Sequence, residues 1–123
     1  FDANNFKYMV DSNPKFYQIV PSYQLIYWAG CNSYSYYSTP FFKFKADINP
    51  KNDPYGTKGL DILGNGLPSL FAFNAFNATE ALKAMINWEK PTSYQALVDT
   101  LEDHASQYGT KVLVNILGDE DNN

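Results

Sequence analysis

Residues 23–33, Tyr-Gln-Leu-Ile-Tyr-Trp-Ala-Gly-Cys-Asn-Ser, constrain the fold more than any other stretch of this chain. Leu25, Ile26, Tyr27 and Trp28 follow one another without polar alternation. Residues 24–29 therefore read as a central strand covered on both faces, as in α/β sheets. The segment then narrows to Ala29-Gly30 and presents Cys31, the single cysteine, ahead of Asn32 and Ser33. In an α/β domain the carboxyl end of a central strand is where a ligand crevice opens. A lone cysteine at such an end is a candidate nucleophile. The competing reading is a small buried hydrophobe, since free cysteines are among the most buried residues.

The rest of the chain supplies layers for that strand. Residues 2–11 suit a short helix, with Phe6, Met9 and Val10 on one face, and Pro14 closes it. Residues 16–20 are a brief extended piece ending at Pro21. After Cys31, residues 32–40 are rich in Ser and Tyr and contain Pro40, which favours a loop. Residues 41–48 alternate Phe42, Phe44 and Ala46 with Lys43, Lys45 and Asp47, the period of a half-buried strand. Proline, glycine and asparagine in 49–59 mark a long surface loop.

Residues 60–63 are a short, mostly apolar run, Gly64-Asn65-Gly66 reads as a turn, and 67–73 as a second buried strand with Pro68 near its start. Two helices follow, over 78–88 with Asn77 as cap, and over 93–107 with a Thr92-Ser93-Tyr94-Gln95 capping pattern. Gly109 suits the stop of the second, 112–117 form a last strand, and the acidic end is polar. The expected architecture is one α/β domain over 1–123, a mostly parallel central sheet flanked by helices.

Composition narrows the function classes. The chain has 123 residues, 45% of them hydrophobic, enough for one ordinary core. It contains no arginine and carries a net charge of −4, with six lysines against four acids in 1–60 and three against nine in 61–123. A chain without arginine forks or a basic face is a poor match to a nucleic-acid or phosphate partner. No apolar run reaches the roughly 18 residues of a membrane span. The sequence begins at Phe1, so further residues upstream, from the same precursor, are an expectation.

Other candidate sites are weaker. His104, the single histidine, lies among Asp99, Glu102 and Asp103 and reads as a helix-surface residue, not as the partner of Cys31. Residues 47–53 scatter oxygen ligands, but Lys51 stands where a calcium loop needs an acceptor. Asn77-Ala78-Thr79 has the form of a glycosylation sequon that a capping role explains equally well. No cofactor is implied. The cluster Tyr34, Tyr36, Tyr37, Phe41 and Phe42 suggests either a binding wall or packing against a neighbouring element.

The apolar strand Leu25-Ile26-Tyr27-Trp28-Ala29-Gly30-Cys31-Asn32-Ser33 resembles the nucleophile strand of the caspase-like cysteine peptidases, the clostripain, gingipain and CHAT-domain branch. Residues 63–72 and the two helices after them fit the same order. The chain also resembles the C-terminal part of bacterial envelope proteins with a Gly-Cys-Ser/Asn-Ser-Tyr stretch, which implies a periplasmic or secreted setting. The resemblance implies a peptide or protein substrate, Cys31 as nucleophile, its backbone N–H at the oxyanion, and Gly30, Asn32, Ser33 and Tyr34 against the substrate. The family's histidine lies upstream of the cysteine, and no histidine precedes Cys31 here, so it would have to come from another segment; otherwise the chain is an inactive relative. A second resemblance is to the thioredoxin-like fold, with residues 66–70 as its cis-proline strand, implying a one-cysteine redox or chaperone role. Against it, Tyr34 stands where the resolving cysteine belongs. A non-enzymatic module that binds protein through the loop 34–42 is the third possibility.

Overall fold

The chain forms β1 (Gln24–Tyr27), α1 (Ser33–Ile48), β2 (Leu60–Asn65), a 3-10 turn (Phe71–Phe73), α2 (Asn74–Ile86), α3 (Tyr94–Ser106) and β3 (Val114–Leu117). This computed structural model describes residues 8, 11–12, 19–68 and 70–118, and for residues 34–37 it describes the backbone only. The helix expected over 2–11, the extended piece at 16–20 and the acidic end fall largely outside the described residues.

β1 and β2 pair in parallel, with Tyr27 opposite Leu63, and β3 pairs antiparallel to β2, with Val114 opposite Asn65. The sheet is therefore mixed where a mostly parallel one was expected. One helix, α1, carries the chain back to begin β2 alongside β1. Two helices separate β2 from β3, so the chain is turned round once more and returns antiparallel. The strand order is β1-β2-β3, which makes β2 the central strand of the described sheet and moves β1 from the centre to its edge.

The two faces are covered by different helices. Phe41 of α1 packs with Leu60 and Ile62 on one face. Ala81 of α2 and Leu97, Leu101 and Ala105 of α3 pack with Leu63 and Val114 on the other. The result is an α/β domain of three layers. All six residues of β2 are buried, including Gly64 and Asn65, which the sequence suggested as a turn. Among the described residues no helix is long and apolar enough to cross a membrane.

α1 overturns two expectations, the loop at 32–40 and the strand at 41–48. Pro40 sits inside this helix, at a position that costs about 3 kcal/mol in an exposed helix. Burial offsets it: Phe41 and Lys45, one turn apart, are the fully covered residues of its sheet-facing stripe. Lys45 reaches through the core and donates to Val20 O (2.6 Å), Ser22 O (2.5 Å) and Gln24 Oε1 (3.3 Å). Burial lowers its pKa, opposed by the charge of Asp53. A lysine in a core position hides the helical period, so the stretch imitates a strand. The Tyr-rich segment 34–42 is accordingly helix, not a free loop, and Phe41 within it belongs to the core.

The loop 49–59 is fixed against α1. Asp53 is buried and accepts from the N–H groups of Lys58 (3.3 Å) and Gly59 (3.2 Å). Gly56 has φ +74°, and a Cβ there would overlap the Phe42 carbonyl. The strand expected at 67–73 is not formed among the described residues: Leu67 and Leu70 are exposed, and the segment ends in the 3-10 turn. α2 begins at Asn74, ahead of the expected cap, so Asn77 lies inside the helix and is buried, out of reach of a glycan. α3 matches its expected span to within two residues, and the Ser93 hydroxyl accepts from Ala96 N–H at 3.2 Å.

Candidate functional site

The chain leaves β1 toward α1 on one face and leaves β2 toward α2 on the other. Two adjacent parallel strands whose connections part in this way leave a crevice at their carboxyl ends. Cys31 is exposed in the first of these connections. Gly30 donates its N–H to Trp28 O (3.0 Å) and accepts from Ser33 N–H (3.3 Å), closing a tight turn around the cysteine. Asn32 adopts the left-handed conformation, φ 53° and ψ 26°, which asparagine tolerates better than most residues. Its N–H points to Leu67 O at 3.5 Å, joining the two connections.

Ser33 is buried. Its hydroxyl donates to Trp28 O at 3.1 Å and accepts from Asn65 N–H at 3.0 Å. It therefore braces the ends of β1 and β2 beneath Cys31 and has no free face for a substrate. The backbone of Tyr34 opens α1, and its side chain lies outside the described residues. Of the expected site residues, Gly30, Cys31, Asn32 and Ser33 thus share one turn, with Ser33 in a supporting place.

Cys31 precedes the first turn of a sixteen-residue helix that has neither a side-chain cap nor an acid in that turn. The positive end of such a helix favours a developing oxyanion. The neighbouring connection 66–73 exposes Leu67, Leu70 and Phe71, the last 91% accessible, where the sequence suggested a buried strand.

His104 is not the surface residue that its acidic neighbours suggest. Its ring stacks on Phe76 (centroids 3.6 Å, planes 8° apart) and meets the edge of Phe73. Its Nδ1 is buried without a hydrogen-bond partner among the described residues. α3 carries it in the layer opposite α1, against Phe73 of the connection that follows β2. In the same layer Tyr27 points its hydroxyl to Asn74 Oδ1 (3.5 Å), and burial raises its pKa.

A second polar cluster was not anticipated. The Asp61 carboxylate, in the middle layer, receives the hydroxyls of Tyr23 (2.6 Å) and Tyr94 (2.5 Å) on the same oxygen, Oδ2. Asn65 lies four residue steps along β2 from Asp61, so this cluster stands about 13 Å from the Ser33 brace, at the opposite end of the sheet. An acid inside the run Leu60-Asp61-Ile62-Leu63 was the signal that pointed to it, because a buried carboxylate requires partners.

Searches of protein families, curated proteins and solved structures find no match to this chain.

Proposed function

We propose that this chain carries the cysteine part of a caspase-like peptidase site, with Cys31 as nucleophile and a histidine supplied from outside these 123 residues. The observation that carries the reading is the exposed thiol at the carboxyl end of a parallel strand, in the turn whose Asn32 N–H points to the Leu67 carbonyl of the neighbouring connection. The cysteine Sγ attacks the peptide carbonyl carbon, the histidine passes the thiol proton to the departing amine, and a thioester remains. Water then attacks the thioester, giving the acid and restoring the thiol.

β1 supports the need for an outside segment. Its Leu25 and Tyr27 pack toward one face and Ile26 and Trp28 toward the other, yet among the described residues it pairs only with β2. Gln24 and Trp28 direct their N–H groups to β2, so the N–H and C=O of Leu25 and Tyr27 point to the outer edge. A further strand there would carry its own carboxyl end to the cysteine side, where a histidine is required.

The test is hydrolysis of fluorogenic peptides by the chain extended through its encoded upstream residues. Turnover that Cys31→Ala abolishes is the expected result. An extended chain that folds and leaves every peptide intact would show an inactive, binding relative. A thiol redox role is the second reading, favoured by the long helix behind Cys31. It lacks a second cysteine, and residues 66–68 hold no cis-proline peptide bond, since none occurs among the described residues.

A further inference from the structure

The Asp61 cluster opens onto a pocket that the peptidase reading does not use. Leu25 of β1, Ala81, Ala84 and Met85 of α2, and Thr92, Tyr94 and Leu97 around the start of α3 enclose about 420 Å³ with Tyr23 at the rim. That volume suits a small organic ligand. The walls are apolar, and among the described residues no basic side chain lines them.

The hydrogen-bond valence of the cluster determines what such a ligand must offer. Asp61 is 3% exposed, and its Oδ2 takes both tyrosine protons. The two hydroxyls also touch each other. Burial and the Asp61 hydrogen bond push the Tyr94 pKa up to about 12 and raise that of Tyr23 further, so both phenols keep their protons. With both protons held within the cluster, between the two hydroxyls and the carboxylate, the hydroxyl oxygens present only lone pairs to the pocket. Behind them stands a buried negative charge, and beside them two aromatic rings. An anion meets repulsion here, and a neutral hydroxyl gains only a hydrogen bond. A cation gains a hydrogen bond, the field of Asp61 and contact with the ring faces.

We propose that this pocket binds a primary alkylammonium ion, its head on the Tyr23 and Tyr94 hydroxyls and its chain along Leu25, Ala84 and Met85. The site lies at the far end of the sheet from Cys31 and stands or falls independently of the peptidase reading.

The experiment follows the Met85 methyl resonance by NMR while the protein is titrated with n-pentylammonium, 1-pentanol or pentanoate. The expected result is a saturable Met85 shift with n-pentylammonium, at least tenfold weaker binding of 1-pentanol, and none of pentanoate. Asp61→Asn should weaken n-pentylammonium at least tenfold. Because that change touches a buried residue, Ala84→Leu serves as a second variant: it fills the pocket from α2 without touching the hydroxyls. It should abolish binding while the urea midpoint stays within the range of surface substitutions. A Met85 resonance that does not move with n-pentylammonium overturns the proposal, as does equal affinity for 1-pentanol, or undiminished binding in a folded Ala84→Leu protein.

Discussion

Replacing Ser33 by alanine tests whether the turn beneath Cys31 is held as described. The Ser33 hydroxyl is the partner of Asn65 N–H at the buried end of β2. Removing it leaves that N–H without an acceptor, a loss of about 1–3 kcal/mol. The bond to Trp28 O also disappears, but that carbonyl keeps Gly30 N–H, so only about 1 kcal/mol more is at stake. The expected destabilisation is therefore about 2–4 kcal/mol, several times the half-kilocalorie scatter of surface changes. Urea unfolding followed by tryptophan fluorescence measures it, with an unchanged denaturant slope showing that the unfolded state is comparable. Lys51→Ala, on the exposed loop, is the control. Hydrogen exchange at Asn65 should accelerate in Ser33→Ala and not in Lys51→Ala. A loss below about 0.5 kcal/mol with protected Asn65 exchange would refute the brace.

Two further outcomes follow from the packing and the tyrosines. Gly56→Ala should destabilise the protein by about 1–3 kcal/mol, through positive φ and the overlap with Phe42, read from the urea midpoint. The Tyr94 pKa, raised by burial and by Asp61 to about 12 in the fold, exceeds its unfolded value of 10.0. The unfolded chain then loses its proton first, so stability is complete below pH 10 and declines as pH rises from about 10 to 12. Urea midpoints across that range should fall, and Tyr94→Phe should flatten the decline; an identical slope in the variant would contradict the cluster.

How far the sequence reveals this fold depends on where each element's information lies. α3 is legible because its cap at Ser93 and its stripe Leu97, Leu101, Ala105 are local. α1 is not, because Pro40 and Lys45 both oppose a helix locally, and only contact with the sheet makes the helix favourable. Gly64-Asn65-Gly66 has the composition of a turn, yet Gly64 and Asn65 run in the central strand, paired with Asn115 and Val114 of β3, while the Ser33 hydroxyl accepts from Asn65 N–H. The end of β1 at Cys31 is visible in the chain because an apolar run, two small residues and a thiol are contiguous. The Asp61 cluster is not, since its tyrosines lie 38 residues before and 33 residues after it. The exposed stretch with Leu67, Leu70 and Phe71 is apolar enough to pass for a buried strand, and nothing in its composition shows its exposure.

Cys31 is proposed to face a peptide-binding crevice as a nucleophile. Mass spectrometry of the upstream-extended protein after treatment with a peptidyl acyloxymethyl ketone tests this most directly, beside the same protein treated with iodoacetamide. The account predicts a thioether adduct from the peptidyl reagent on Cys31 at low reagent excess, suppressed by competing peptide. Ready alkylation of Cys31 by iodoacetamide with no adduct from the peptidyl reagent would contradict it, showing a thiol that is accessible but serves no peptide site.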